Sequence, residues 1–177
     1  MTSMAEQQQQ QQQTTDVPVR KSITVKASQE RAFEVFTDGL DTWWPREHHI
    51  GKSPMKKCIV EGKVGGRCYT EQMDGTDCDW GTVLAWDPPR RFVMAWRITT
   101  TWEYESDLWK SSEAEVTFTP VGDGRTRVDL EHRHLSRHGA GSEGMRSAVD
   151  SPNGWSATLE RYKAAAEGQG NGDGTQQ

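Results

Sequence analysis

The clearest hydrophobic pattern in the chain runs from residue 79 to residue 97. Two apolar segments, rich in β-branched and aromatic residues, flank the sequence DPPR at residues 87–90. Such side chains favour strands, and proline cannot donate a hydrogen bond to a β-ladder. The segment therefore predicts a hairpin in an antiparallel sheet, with residue 84 opposite 94 and residue 82 opposite 96.

This register predicts that the two faces of the hairpin differ. Even-numbered residues of both strands share one face, which carries Trp80, Leu84, Met94, Trp96 and Ile98. The opposite face carries smaller or more polar side chains. A sheet face with so many large aromatic rings needs a second layer to pack against, or a space to enclose.

Alternating apolar and polar positions predict further strands at residues 17–27, 55–61, 67–73, 113–119 and 125–134. The sequence GDG at residues 122–124 predicts a turn that places 118 opposite 128, 116 opposite 130 and 114 opposite 132. The apolar faces of the last two strands coincide in this register, which supports it.

Helical spacing appears in four places. Ser28 is a predicted N-cap, a second short helix or turn ends before Pro45, and a short helix is predicted near residues 143–149. Ser151 and Pro152 predict the start of the last helix. That helix carries one apolar stripe, formed by Trp155, Leu159, Tyr162 and Ala166.

Together these elements predict an α+β fold. A curved antiparallel sheet is wrapped around a long C-terminal α-helix, and two short helices follow the first strand. Residues 1–16, with glutamine at positions 7–13, and residues 168–177 are predicted to be disordered tails because they have little apolar surface to bury. The folded domain is then expected at residues 17–167.

Composition excludes several function classes. The net charge is −5 and the basic residues are scattered, so nucleic acid is not an expected partner. The chain has no apolar run long enough for a membrane span and no signal-peptide core, so we expect a soluble, cytoplasmic protein. The three cysteines, Cys58, Cys68 and Cys78, are expected as reduced thiols, although a bridge between Cys58 and Cys68 remains open.

Five short motifs, in order, resemble those of a known family. They are VKASQERAF at residues 25–33, GGR at 65–67, GTVLAWDPPRRFVMAW at 81–96, LEH at 130–132 and GWSATL at 154–159. The chain resembles the START/Bet v 1-like (SRPBCC) superfamily and, within it, the homologues of the heat-shock-protein-90 ATPase activator. The resemblance spans roughly residues 19–166 and implies the helix-grip fold.

The fold so implied has a cavity between the sheet and the C-terminal helix, which takes a small hydrophobic or amphipathic molecule. The alternative is that the same side chains fill this space as a solid core. No cofactor is expected. The candidate ligand-binding residues are Trp44, Trp80, Met94, Trp96, Phe118, Leu130, His132 and Trp155.

Histidines are the sharpest polar feature of the sequence. His132 and His134 share one face of a strand, but no third ligand at a paired spacing accompanies them, so no metal site is expected. His132 could orient a ligand, act as an acid or base, or be structural. His48, His49 and His138 lie in polar loops, where we expect solvated side chains.

Three functions remain open at this point. The first is ligand binding without covalent chemistry, since nucleophile, P-loop and dinucleotide motifs are absent from the sequence. The second is an enzyme of the cyclase or hydrolase type with His132 as acid or base. The third is a protein-interaction module that binds a chaperone or forms a homodimer, with Trp102, Tyr104 and Trp109 as anchors.

Overall fold

The computed structural model describes residues 17–168, and the two predicted tails lie outside this range apart from Gly168. Seven antiparallel strands form one sheet in the order β1-β7-β6-β5-β4-β3-β2. The strands are β1 (Val19–Val25), β2 (Met55–Val60), β3 (Arg67–Gln72), β4 (Asp77–Asp87), β5 (Arg91–Trp96), β6 (Ser112–Gly122) and β7 (Arg125–Arg133).

The helices lie at the two ends of the chain, as the sequence predicts. After β1 come α1 (Gln29–Phe36) and α2 (Leu40–Trp43), and after β7 come α3 (Ser142–Asp150) and α4 (Ala157–Ala166). Ser28 caps α1, since its side chain accepts a hydrogen bond from the backbone N–H of Arg31. Short 3₁₀ turns occur at Leu108–Lys110 and Leu135–His138. None of the helices between residues 17 and 168 is both long enough and apolar enough to cross a membrane.

The final helix does not begin as a regular helix at Pro152. Residues Pro152–Ser156 form a wide, irregular turn in which Gly154 has non-helical backbone angles. A Cβ atom at Gly154 would lie 2.4 Å from the carbonyl oxygen of Val149, so only glycine fits this approach between α3 and the turn. The predicted stripe of Trp155, Leu159, Tyr162 and Ala166 is buried throughout.

The register of the last hairpin is confirmed. Phe118 pairs with Val128, Val116 with Leu130, and Ala114 with His132. All six of these side chains are buried, so the predicted apolar face is the face that meets the helices.

The predicted register of the β4–β5 hairpin is right beside the turn and wrong beyond residue 84. Beside the turn, Ala85 pairs with Val93, but a bulge at residue 84 then shifts the pairing, and Gly81, not Thr82, faces Trp96. The predicted inward position of Leu84 is therefore wrong. Val83 is the buried residue, 1% exposed, and pairs with Met94.

A second irregularity lies one strand away. The pairing of β3 with β4 skips Trp80, because Cys68 faces Gly81 and Tyr69 faces Asp79. Trp80 and Gly81 are both buried despite being adjacent in a strand. The two bulges together keep Trp80 on the concave face although the strict alternation fails.

One end of the concave face is filled by an aromatic cluster. Phe36 lies with its ring centroid 5.0 Å from that of Tyr162, 5.1 Å from Trp43 and 5.8 Å from Phe118. The Tyr162 hydroxyl donates a 2.7 Å hydrogen bond to the carbonyl of Ala32. This cluster joins α1, α2 and α4 to the sheet and fills that end of the concave face.

Candidate functional site

A cavity of about 440 Å³ opens between the concave face of the sheet and the start of the last helix. Its walls come from β4 and β5, from the loop that follows α2, and from the segment around Pro152–Ser156. Apolar side chains dominate the walls. The lining residues are Trp44, Glu47, His48, His49, Ile50, Trp80, Trp96, Ile98, Trp102, Ala148, Val149, Ser151, Asn153, Gly154, Trp155 and Thr158.

Four tryptophans form a closed ring of contacts around this cavity. Trp44 and Trp80 are stacked, with centroids 5.4 Å apart and planes inclined by 16°. Trp80 meets Trp96 edge to face at 6.0 Å, Trp96 meets Trp155 at 5.7 Å, and Trp155 meets Trp44 at 6.1 Å. We refer to these four residues as the tryptophan ring. Such walls present flat apolar faces and positively polarised ring edges to whatever enters.

The structure divides seven of the eight candidate ligand-binding residues, all except His132, into two groups. The four members of the tryptophan ring line the cavity. Met94, Phe118 and Leu130 do not line it and are at most 2% exposed in the packed core. For Phe118 the reason is that α1 fills its end of the sheet, where the ring centroids of Phe33 and Phe118 are 5.2 Å apart.

The loop after α2 is held against the cavity by a few polar contacts. The indole N–H of Trp44 donates a 2.8 Å hydrogen bond to the carbonyl of His48. The Asp41 carboxylate accepts from Arg46 at 2.7 Å and from the backbone N–H of Cys58 at 2.9 Å. These contacts hold the pKa of Asp41 below its usual value, although burial opposes the shift. They keep residues 46–50 over the cavity.

Three of the residues that line the cavity have a buried polar atom without a hydrogen-bond partner. The indole nitrogen of Trp96, a residue 7% exposed, has no hydrogen-bond partner within residues 17–168. The Nδ1 atom of His49 is likewise buried and unpartnered there, whereas the indole nitrogen of Trp80 has only the sulfur of Cys58 nearby. Unsatisfied buried polar atoms are unusual in folded proteins and call for an explanation. His49 was expected to be solvated in a polar loop; its side chain is only partly exposed, with Nδ1 buried, because the loop folds over the cavity.

His132 lies behind the tryptophan ring and is fully buried. Its Nδ1 atom accepts a 3.1 Å hydrogen bond from the indole N–H of Trp155, and its Nε2 atom lies 2.7 Å from the hydroxyl of Ser112. The Ser112 hydroxyl is in turn 2.7 Å from Nε2 of His138. The expectation of a solvated His138 is therefore also wrong, since its ring joins a buried network.

This setting keeps His132 neutral. Burial, with a smaller contribution from His138, lowers the pKa of His132 to about 3. Both ring nitrogens are bonded within the protein, and His132 is not among the residues that line the cavity. An acid/base role needs a titratable nitrogen within reach of the ligand, so this geometry does not favour such a role for His132.

Other candidate chemistry is sparse. Groups of three or more metal-ligating side chains do not occur within the described range. Cys58 and Cys68 are free and buried, and burial raises the pKa of Cys58 to about 12, so that thiol is unreactive. Trp102, Tyr104 and Trp109 are exposed by 49%, 40% and 82%, and Trp102 also lines the cavity.

Sequence reasoning missed Ser112, His49 and His138 as members of this region. The alternation in β6 does put position 112 on the same face as 114 and 116, so Ser112 could have been found there. The loop histidines carry no periodic signal, because their positions depend on contacts distant in sequence.

Known proteins share this fold. Residues 26–167 match the model of the family described as activator of Hsp90 ATPase homolog 1-like protein. The chain belongs to this family, within the SRPBCC superfamily. The resemblance inferred from the five motifs is thereby confirmed, as is the helix-grip fold.

Several solved structures of this family's fold are similar to the chain. The anthrahydroquino-gamma-pyrone synthase Txn09, solved as a complex, is 44% identical, with 84% of this chain and 97% of that chain covered and a TM-score of 0.60. CalC from Micromonospora echinospora, a self-sacrificing resistance protein, is 29% identical, with 89% and 98% covered and a TM-score of 0.63. NE0264 from Nitrosomonas europaea, at 15% identity, 87% and 96% coverage and a TM-score of 0.62, shares the fold. The search of curated proteins gives no match.

Proposed function

We propose that the cavity binds a flat, polycyclic aromatic small molecule that carries hydrogen-bond-accepting oxygen atoms. The observation that carries the proposal is the unpartnered indole N–H of Trp96 within the tryptophan ring. A buried donor without a partner gains a hydrogen bond when a ligand oxygen reaches it. The aromatic walls supply stacking and edge contacts for a flat ligand.

Size and similarity support the same class of ligand. A volume of about 440 Å³ lies within the range of small-molecule pockets, roughly 300–1,000 Å³. The similar protein Txn09 is named for an anthrahydroquinone fused to a pyrone, which is a flat polycyclic molecule with several oxygens. We infer that this chain takes a ligand of related shape.

The test is a titration with a hydroxyanthraquinone, followed by quenching of tryptophan fluorescence and by calorimetry. We expect saturable 1:1 binding, and weaker binding of a hydroxyanthracene that lacks the two carbonyls. Trp96→Phe keeps an aromatic ring and removes the N–H, so it should weaken hydroxyanthraquinone binding about tenfold, the equivalent of one hydrogen bond. Trp109→Phe, at a side chain 82% exposed and outside the cavity lining, is the matched control. Equal affinity of both variants would count against the proposal.

A second candidate function is ring closure on such a ligand, with His49 as the acid/base group. It is favoured by the 44% identity to a pyrone synthase and by the buried, unpartnered Nδ1 of His49 on the cavity wall. A phenolic hydroxyl ortho to a 1,3-diketone side chain would attack the distal carbonyl carbon. His49 would accept the hydroxyl proton and return it to the attacked carbonyl oxygen, which gives a cyclic hemiketal with one new C–O bond. His49 would then take a proton from the methylene carbon between the two carbonyls and give it to the hemiketal hydroxyl, so that the ring C=C bond forms, the C–OH bond breaks and one water leaves.

Ring closure is tested with an ortho-hydroxyaryl 1,3-diketone, since the product pyrone has its own absorbance. His49→Gln should lower turnover at least about 100-fold, as expected for loss of a general acid/base, and leave probe affinity within twofold. His48→Gln is the neighbouring control. Unchanged turnover in His49→Gln would exclude this role, and absence of turnover in the unaltered protein would leave binding as the function.

A further inference from the structure

A chain of hydrogen bonds crosses four separate elements behind the tryptophan ring. It runs from Trp155 in the turn before α4 to His132 in β7, then to Ser112 at the start of β6, and ends at His138 in the 3₁₀ turn after β7. The first three residues are buried, with Ser112 and His132 at 0% exposure. Trp96 lies beside this chain, because it pairs with Ser112 in the sheet and its ring centroid is 5.2 Å from that of His132.

The donors and acceptors of this chain can be arranged in one way only. An indole N–H can only donate, so Nδ1 of His132 must accept, and the proton of the neutral ring lies on Nε2. That proton is donated to the Ser112 hydroxyl, which must then donate to Nε2 of His138. The backbone N–H of Ser112 points to the same nitrogen at 3.3 Å, so Nε2 of His138 is an acceptor. The proton of neutral His138 consequently lies on Nδ1.

We propose that Ser112 and His138 are positioning residues that hold His132 in one tautomer and so fix the orientation of Trp155 in the cavity wall. If the proton of His132 moved to Nδ1, it would face the indole N–H of Trp155, and the two donors would repel each other. Trp155 would then have to turn, and its edge contacts with Trp44 and Trp96 would change. The part of this inference that concerns ligand affinity rests on the proposed function, and the tautomer does not.

Neighbouring serines provide a matched pair of variants. Ser112→Ala removes the acceptor of the His132 proton and the donor to His138. Ser111→Ala removes a hydroxyl that is equally buried but has no hydrogen-bond partner in the described part of the chain. His138→Ala removes the acceptor of the Ser112 hydroxyl, which leaves that hydroxyl free to donate to His132 and favour the opposite tautomer.

The experiment uses the unliganded full chain at neutral pH. Long-range ¹H–¹⁵N spectra of the five histidines should show His132 with its proton on Nε2 and His138 with its proton on Nδ1. In Ser112→Ala and His138→Ala we expect the Nδ1–H form of His132 to become populated and the indole N–H resonance of Trp155 to shift. Ser111→Ala should match the unaltered protein. His132 with its proton on Nδ1 in the unaltered protein, or an unmoved Trp155 resonance in Ser112→Ala, would overturn the inference.

Ligand affinity separates this inference from the proposed function. We expect the hydroxyanthraquinone probe to bind Ser112→Ala about tenfold more weakly and Ser111→Ala as well as it binds the unaltered protein. Equal affinity in both variants would refute the positioning role. If the unaltered protein binds no probe, the proposed function fails, and the tautomers and the Trp155 resonance still decide the inference.

Discussion

Trp44 and Trp80 are stacked with their ring planes inclined by 16°, although 36 positions separate them in the sequence. Trp44 follows α2 and Trp80 lies at a bulge in β4, so the stack joins the helical layer to the sheet. Trp44 also anchors the loop that carries His49, since its N–H bonds the carbonyl of His48. The same side chain therefore forms part of the cavity wall and holds the loop at residues 46–50 over the cavity.

Trp44→Phe separates these two roles because it keeps a stacked ring and removes the N–H. We expect faster amide hydrogen exchange in residues 46–50 once the carbonyl of His48 loses its donor, with a cost of about 1 kcal/mol in the free energy of unfolding. Amide exchange followed by mass spectrometry measures the first effect and urea unfolding the second. Trp109→Phe is the control, and unchanged exchange in Trp44→Phe would show that the loop is held by other contacts.

The aromatic wall of the cavity could be predicted from the sequence. The sequence could not predict which of the candidate residues line the cavity and which are buried in the core. Alternation and helical spacing were enough to place Trp96 and Trp155 on facing layers. Phe118 has the same pattern but packs against Phe33 and Phe36 of α1, and Met94 is buried in the core without lining the cavity. Periodicity gives the face on which a side chain lies, whereas the position of the space along that face depends on how α1 and α2 pack.

The bulges are a second feature that the sequence pattern could not predict. A bulge adds a residue without any required sequence signal, so strict alternation placed Leu84 inward where Val83 is buried. The glycine at position 81, inside a predicted strand, is a partial sequence signal for the bulge. A Cβ there would lie 2.8 Å from the carbonyl oxygen of Ala95, and glycine inside a strand often accompanies a bulge or a close backbone approach.

Neutral, buried His132 should make the protein sensitive to acid. Its pKa is about 3 in the folded state and near 6.5 in an unfolded chain. Between these values only the unfolded state binds the proton, so stability falls as the pH falls from about 6.5 toward 3. The loss attributable to this group is about 2–3 kcal/mol between pH 6.5 and pH 4.5.

Urea unfolding at pH 7 and pH 4.5 measures this effect. His132→Gln cannot take up the proton in either state, so its unfolding free energy should change less between the two pH values than that of the unaltered protein. The carboxylates contribute equally to both proteins and cancel in the comparison. His134→Gln, at an exposed position two residues away, should retain the full pH dependence. Equal slopes for His132→Gln and the unaltered protein would mean that His132 is charged in the folded state.

Tyr162 joins the last helix to the first one. Its ring is fully buried in the aromatic cluster, and its hydroxyl donates to the carbonyl of Ala32 over 2.7 Å. Tyr162→Phe removes only this bond, so we expect a loss of about 1 kcal/mol in the free energy of unfolding, measured by urea titration. Tyr104→Phe, at a side chain 40% exposed, should leave stability unchanged. If Tyr162→Phe left the free energy of unfolding unchanged, ring packing alone would account for the stability of the contact between the two helices.

Two glycines near the cavity should respond to alanine in opposite directions. At Gly154 a Cβ would lie 2.4 Å from the carbonyl oxygen of Val149 and 2.6 Å from that of Ala148, both of them backbone atoms that cannot move aside cheaply. Gly154→Ala should therefore cost about 1–3 kcal/mol and shift the turn that carries Trp155. Gly144 lies inside α3, and a Cβ added there would have no atom within 4 Å, so Gly144→Ala should stabilise the protein by up to about 1 kcal/mol.

Thermal and urea unfolding of the two variants, with probe binding measured alongside, tests this pair. We expect Gly154→Ala to lose probe affinity as well as stability, because the displaced turn forms one wall of the cavity. Gly144→Ala should bind the probe as the unaltered protein does, since Gly144 is not a lining residue. If Gly154→Ala kept both stability and affinity, the turn would have to be able to relax away from α3 without moving Trp155, and the close approach between them would not determine the shape of the cavity.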